Sequence, residues 1–91
     1  MLRDMAPAIK ATARQHRSTG RIGVYGSIAR GEATPDSDID FLIEFEEDAS
    51  LFDLVALQTA LAELIGKPVD VLSAAAEGRA ADHARTQSVP L

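Results

Sequence analysis

The sequence predicts an α+β fold: a small mixed β-sheet of about three to four strands with helices packed on one face. Asp38 to Phe45 (DIDFLIEF) alternates apolar and polar residues, as a half-buried strand does. Ser50 to Ile65 instead carries leucines at helical spacing, and two shorter apolar segments supply further strands. At 91 residues, the chain is expected to form one domain over residues 1–91.

The first third of the chain predicts a helix, a strand and a turn. Pro7 suits a first helical turn, so a polar helix is expected from there to about His16, ended by Ser18-Thr19-Gly20. Arg21 to Tyr25 then form a short strand, with Ile22 and Val24 on one face. Gly26-Ser27 turns the chain, Ile28 to Arg30 form one helical turn, and Gly31 to Ser37 form a loop with a Pro35-Asp36 turn.

The central strand presents two chemically different faces. Ile39, Phe41, Ile43 and Phe45 share the apolar face, and Asp38, Asp40, Leu42 and Glu44 share the other. The helix that follows is expected to begin with a capping box in which Asp53 replaces the usual Glu after Ser50. Its apolar stripe comprises Leu54, Leu57, Leu61 and Leu64, and Gly66 and Pro68 end it.

The last quarter of the chain predicts one more strand and a weaker helix. Val69 to Leu72 form the strand, with Asp70 on the face away from Val69 and Val71. A weak helix is expected from about Ala75 to Arg85, followed by a loose tail, Val89-Pro90-Leu91. Helices on one side of the sheet would leave an open working face that carries Gly23, Asp38, Asp40 and Asp70.

The composition of the chain argues against several classes of function. A formal net charge of −5 argues against direct nucleic-acid binding, which depends on clustered Lys and Arg. The absence of cysteine excludes disulfides and thiolate chemistry. Because no apolar run resembles a signal peptide or reaches the roughly 20 residues of a membrane span, we expect a cytoplasmic protein with no membrane partner.

Asp38 and Asp40 predict a metal site. Carboxylates at i and i+2 of a strand lie on one face, with Cα atoms about 6.5–7 Å apart. They repel one another unless a hard cation lies between them, and Mg²⁺ typically binds one or two carboxylates together with substrate phosphates. Asp70 on a neighbouring strand would allow a second metal, as in phosphoryl or nucleotidyl transfer.

The Gly26-Ser27 turn fits a phosphate site beside these acids. Gly26 allows close backbone approach, and Ser27 adds a hydroxyl at the N-terminal end of the expected helical turn. Arg30 is equally compatible with a clamp on phosphate oxygens and with a salt bridge to Glu32 or Asp36. Tyr25 is more compatible with packing than with stacking on a base.

A known family matches these motifs. Gly26-Ser27, ten residues and then Asp38-x-Asp40 resemble the GS-x10-DxD signature of DNA polymerase β-like nucleotidyltransferases. The string GSIARGEATPDSDIDFLIEF further resembles the minimal nucleotidyltransferases (MNT), the antitoxins of HEPN-domain ribonuclease toxins. The resemblance covers about Arg21 to Leu72 well, the first twenty residues loosely and Ala74 to Ser88 poorly.

The resemblance implies an antitoxin of a type VII-like HEPN/MNT pair and a polymerase β-like core. It implies an Mg²⁺-dependent protein adenylyltransferase that moves AMP from ATP to a tyrosine hydroxyl of its HEPN toxin. Gly26 and Ser27 would hold the triphosphate, Asp38 and Asp40 would bind metal, and Asp70 would bind metal or activate the acceptor; the phosphate role of Arg30 is an additional hypothesis. Two alternatives stay open: an antitoxin that acts by binding alone, with an ATP-binding or vestigial site, and a nucleotidyltransferase for small molecules.

Overall fold

A computed structural model describes residues 2–32, 34 and 36–91 of the chain. The elements follow one another as α1 (Leu2–Gln15), β1 (Ser18–Tyr25), β2 (Ile39–Phe45), α2 (Leu51–Ile65), β3 (Val69–Ser73), α3 (Arg79–Gln87) and β4 (Val89–Pro90). None of the helices in these residues has the length and apolar character needed to cross a membrane. The loop predicted over Gly31 to Ser37 contains no helix or strand where it is described, and Pro35 of its predicted turn lies outside the described residues.

The four strands form one mixed sheet in the order β3-β2-β1-β4. β1 pairs antiparallel with both β2 and β4, whereas β2 and β3 run parallel. Parallel neighbours need a crossover, and α2 supplies it between β2 and β3. This arrangement confirms the predicted α+β fold class.

The main core lies between one face of the sheet and helices α1 and α2. Ile39, Phe41 and Ile43 are fully buried there, as their alternation along β2 predicts, while Phe45 at the strand end is only partly buried. Leu57 and Leu61 of the predicted α2 stripe are buried as well. The prediction is wrong for Leu64, which is 39% exposed because it lies in the last turn of the helix, near the edge of the core.

Helix α2 has both of its predicted boundaries. The Ser50 side chain accepts a hydrogen bond from the Asp53 backbone N–H, and the Asp53 carboxylate accepts one from the Ser50 N–H at 2.8 Å. At the other end Gly66 adopts a left-handed conformation with φ 78° and donates its N–H to Ala62. Both signals are local in sequence, which is why they could be identified without the fold.

Helix α1 begins earlier than predicted. It starts at Leu2, so Pro7 lies inside the helix rather than in its first turn. Pro7 removes one backbone hydrogen bond on an exposed face, while Leu2 and Met5 pack against the core from the turn before it. Tertiary packing therefore extends the helix past a residue that ordinarily marks its start.

Strand β1 also begins earlier, at Ser18 instead of Arg21. Arg17, with φ 67°, ends α1, and Ser18 enters the sheet opposite Phe45 through an irregular register. Ser18 is buried, but its hydroxyl donates to the Glu44 carbonyl at 2.8 Å and accepts from the Gly20 N–H at 3.0 Å. The polar Ser-Thr-Gly segment thus satisfies its own polar groups inside the sheet.

The C-terminal segment is more ordered than predicted. Gly78 has φ 111°, which a helix cannot accommodate, so α3 starts at Arg79 rather than near Ala75. The predicted loose tail instead forms β4, where Val89 pairs with Val24 and Pro90 with Gly23. Proline is tolerated there because β4 is the edge of the sheet.

The face opposite the main core is partly covered rather than fully open. Leu42 is buried on that face, and the side chain of Ser88 lies 3.1 Å from where a Cβ of Gly23 would be. Ala81 and Ala84 of α3 are buried outside the main core. The uncovered part of this face lies toward the start of β2, where the acidic residues are.

Candidate active site

Asp40 occupies the centre of the candidate site. It is the second residue of β2, and its neighbours across the sheet are Tyr25 at the end of β1 and Asp70 near the start of β3. Adjacent strands lie about 4.8 Å apart, so the sheet itself brings Asp40 and Asp70 side by side. The predicted meeting of these two acids on one face is therefore present in the structure.

Partial burial and the neighbouring acids make the charged form of Asp40 less favourable. Partial burial raises the pKa of the Asp40 carboxyl, and the negative charges of Asp70 and Asp38 raise it further, while Arg30 lowers it. Such mutual repulsion is what a bound cation relieves. The electrostatic balance at Asp40 is thus one that favours positive charge.

The Gly26-Ser27 turn lies directly against Asp40. Gly26 has φ 75°, and a methyl group at this position would collide with the Asp40 carboxylate. Only glycine permits both this conformation and this approach. The turn and the acid are therefore fixed relative to each other by the backbone.

The turn presents unused backbone donors. Arg30 N–H donates to Gly26 carbonyl at 3.1 Å and Glu32 N–H to Ser27 carbonyl at 2.8 Å, yet the segment does not become a regular helix. Within the described residues, the N–H groups of Ser27, Ile28 and Ala29 donate to no acceptor. Successive free N–H groups in a turn form a concave site suited to phosphate oxygens.

Arg30 shows one of the two interactions that its sequence context allowed. Its Nε atom lies 3.3 Å from the Glu32 carboxylate, and both side chains are substantially exposed. An exposed pair of this kind is weak, commonly about 0–1 kcal/mol, so it does not hold Arg30 away from a competing phosphate. The phosphate role of Arg30 stays a prediction.

Asp38 lies just before β2 and is exposed. In residues 2–32, 34 and 36–91, no three acidic or histidine side chains converge closely enough to form a ready cation site. What the structure brings together is the Asp40–Asp70 pair, with Asp38 close enough to influence the Asp40 pKa. These hard oxygen donors fit Mg²⁺ chemically, since that ion binds few protein carboxylates and completes its shell with phosphate and water.

Tyr25 belongs to the site more closely than its sequence context indicated. Its side chain is half-buried beside Asp40, and burial raises the pKa of the phenol, with further contributions from the charges of Asp40 and Asp70. The hydroxyl therefore stays protonated and available as a donor near neutral pH. Only the strand register reveals this placement, since alternation within β1 does not identify the partner across the sheet.

Comparison with known proteins places these residues in a family. Residues 7–88 match the model of the nucleotidyltransferase domain. The protein adenylyltransferase MntA of Thermococcus cleftensis is 39% identical over 71 residues, which are 78% of this chain and 72% of the relative. MJ0435 of Methanocaldococcus jannaschii, named provisionally as a protein adenylyltransferase, is 53% identical over 53 residues, so the match spans 58% of this chain and only 57% of that relative.

Solved structures share the fold. A protein provisionally identified as a minimal nucleotidyltransferase superposes with a TM-score of 0.82 at 37% identity, over 99% of this chain and 92% of the other. A toxin–antitoxin crystal structure with AMP-PNP gives a TM-score of 0.78 at 19% identity, over 93% and 70% of the two chains. A tri-AMPylated HEPN toxin of Shewanella oneidensis in complex with MNT antitoxin gives 0.73 at 17% identity, over 99% and 71%. At these lower identities the last two establish a common fold.

Proposed function

The chain belongs to the nucleotidyltransferase domain family, and we propose that it is an antitoxin that transfers AMP from ATP to a tyrosine hydroxyl of a cognate HEPN toxin. The observation that carries the proposal is the position of Asp40. On one side of it lies a turn whose N–H groups have no acceptor among the described residues, and on the other side lies Asp70. A nucleotidyl-transfer site holds the phosphate chain on one side of its acidic residues and the acceptor hydroxyl on the other.

Each part of the site has a proposed role. The N–H groups of the Gly26-Ser27 turn and the Ser27 hydroxyl hold the β- and γ-phosphates, and Arg30 leaves Glu32 to contact them. Asp38 and Asp40 would hold Mg²⁺, which would supply positive charge for the phosphates of ATP. Asp70 completes the metal site or accepts the proton of the acceptor.

The strand order supports one direction for the proposed reaction. An in-line displacement needs the attacking and leaving oxygens on opposite sides of the α-phosphorus. The turn after β1 lies on one side of Asp40 and β3 lies on the other. Pyrophosphate is therefore expected to leave on the β1 side, and the acceptor tyrosine to enter on the β3 side, next to Asp70.

The proposed step conserves atoms and charge. The acceptor tyrosine oxygen forms a bond to the α-phosphorus as the bond between that phosphorus and the bridging oxygen of pyrophosphate breaks. The tyrosine proton passes to the Asp70 carboxylate and then to solvent. The products are a tyrosine-linked AMP and pyrophosphate.

The test is intact mass spectrometry of the HEPN protein encoded beside this gene, after incubation with the antitoxin, ATP and Mg²⁺. We expect a gain of one or more AMP units with the wild type, and none with Asp40→Asn. Asp36→Asn is the matched control, because Asp36 is an exposed acid in the loop just before β2 and has no assigned role. A stable complex without any mass gain would instead favour neutralisation by binding alone, and transfer to a free hydroxylated compound would favour a small-molecule enzyme.

A further inference from the structure

The first turns of α2 expose three large apolar side chains, which we call the α2 patch: Leu51, Phe52 and Val55. Leu51 is 74% exposed, Phe52 87% and Val55 52%. Val55 lies four residues after Leu51 and three after Phe52, and residues at these spacings are neighbours on a helix surface, so Val55 joins the three into one surface. Single exposed apolar residues are common, but a contiguous group that includes a phenylalanine is characteristic of a contact surface.

A cleft of about 450 Å³ adjoins the α2 patch and shares Leu51 with it. Phe45 and Leu54 contribute apolar walls, and Glu46 and Glu47 form an acidic border. Nearby Asp48 already pairs with Arg17, whereas Glu46 and Glu47 have no ion-pair partner among the described residues. The surface therefore combines an apolar centre with uncompensated negative charge at its edge.

We propose that the α2 patch and this cleft are the docking surface for a protein that presents an apolar ridge bordered by Lys or Arg side chains. Complementary charge at the border would guide such a partner, and the apolar centre would supply most of the contact. This inference rests on the proposed function, under which the partner is the cognate toxin.

A second copy of the chain fits this surface poorly. A two-fold symmetric contact places the same patch of each copy face to face. Such a contact would collect Glu46 and Glu47 of both copies at one interface, and the α2 patch and the cleft contribute no Lys or Arg to pair with them. In a protein whose net charge is already −5, this uncompensated negative charge favours a basic partner over self-association.

The proposed docking surface and the candidate active site lie at opposite ends of the sheet. Asp40 is near the start of β2, and Phe45 at its end lines the cleft. Five residues of strand span about 17 Å. Substitutions in the α2 patch should therefore affect complex formation without touching the nucleotide site, so the partner's acceptor must reach across that distance.

The test measures affinity of the neighbouring-gene toxin for catalytically silent Asp40→Asn protein, so that binding is read independently of AMP transfer. Adding Phe52→Ser should raise the dissociation constant at least tenfold, since exposed aromatic anchors dominate interfaces. The double variant Glu46→Lys with Glu47→Lys should also raise the dissociation constant and should reduce the salt dependence of binding. Leu64→Ser, at a partly exposed apolar position near the other end of the same helix, should change it by less than about threefold.

The outcomes separate this inference from the proposed function. If the toxin bound in a way that depended on the α2 patch but wild-type protein transferred no AMP, the docking surface would be retained and the proposed adenylyltransferase activity would be rejected. Equal affinity of Phe52→Ser and its parent, or no complex at all, would overturn the docking surface. Sedimentation of the protein alone as a dimer that Phe52→Ser dissociates would also overturn it, because a second copy would then be the occupant. Melting curves should be unchanged for Phe52→Ser, since the side chain is exposed.

Discussion

Asp40 and Asp70 are direct neighbours across the parallel pair of strands β2 and β3, and the negative charge of Asp70 adds to partial burial in making the charged form of Asp40 less favourable. A folded protein gains nothing in stability from such a pair. The arrangement becomes useful only when positive charge binds there.

Asp40→Asn should stabilise the free protein while removing AMP transfer. The substitution keeps the side-chain shape and removes the repulsion with Asp70 and Asp38. For a solvent-screened group the gain is expected to be a few tenths of a kcal/mol, or roughly 1–4 °C in melting temperature at pH 7. A lower melting temperature for Asp40→Asn would show that this carboxylate contributes to the fold instead.

The same stabilisation should depend on pH. The pKa of Asp40 is raised above its ordinary value of 3.8, so the folded state holds the proton more tightly than the unfolded state. The contribution of Asp40 to the free energy of unfolding is therefore fully present below pH 3.8, and it is lost as the pH rises through the folded-state pKa. The advantage of Asp40→Asn should appear over that interval and vanish below it, as measured by denaturant titration across pH.

Gly26→Ala should impair both folding and transfer. The new methyl group would meet the Asp40 carboxylate, and φ 75° is itself unfavourable for alanine, at a cost of about 1 kcal/mol or more. Gly31→Ala is the matched control, because Gly31 has φ 72° but nothing lies within 4 Å of its Cβ position. If the two variants behaved alike in AMP transfer, the close approach of the turn to Asp40 would not matter.

Arg30 and Glu32 offer a way to test the phosphate clamp. Arg30→Ala should raise the KM for ATP severalfold if the guanidinium contacts phosphate. Glu32→Gln removes the competing ion pair, so the KM should stay the same or fall. If both substitutions raised the KM equally, the ion pair would support the structure of the turn, and Arg30 would not be the residue that contacts phosphate.

Ser50→Ala should lower stability without changing chemistry. It removes the cap that accepts from Asp53 N–H, which typically costs about 1 kcal/mol, or roughly 4–8 °C in a domain of this size. The affinity for ATP below the melting transition should be unaffected, because the cap lies at the opposite end of the sheet from Asp40. Thermal melts and ATP titrations on one preparation measure both.

Features that depend on neighbouring residues in sequence could be predicted correctly. The alternation of Ile39, Phe41 and Ile43 fixes which face of β2 is buried, and Ser50 with Asp53 marks the start of α2. Both are decided within a few residues, so distant contacts do not alter them. The turn at Gly26 is predictable for the same reason, whereas the roles of Asp38 and Asp40 stay predictions.

Features decided by distant contacts could not be predicted. Helix α1 continues past Pro7 because its apolar residues meet the sheet, and β4 forms because Val24 and Gly23 of β1 offer it an edge. Helical spacing in α2 likewise does not show that Leu64 lies at the edge of the core. The placement of Tyr25 beside Asp40 follows from strand register, which alternation within one strand does not determine.

The most direct test of the central claim follows the fate of the α-phosphorus. The neighbouring-gene toxin is incubated with this protein, Mg²⁺ and ATP that is radioactive at either the α- or the γ-position. The proposed reaction predicts α-label on the toxin, γ-label in pyrophosphate, and neither change with Asp40→Asn. Transfer of γ-label to the toxin, or undiminished transfer of α-label by Asp40→Asn, would contradict it.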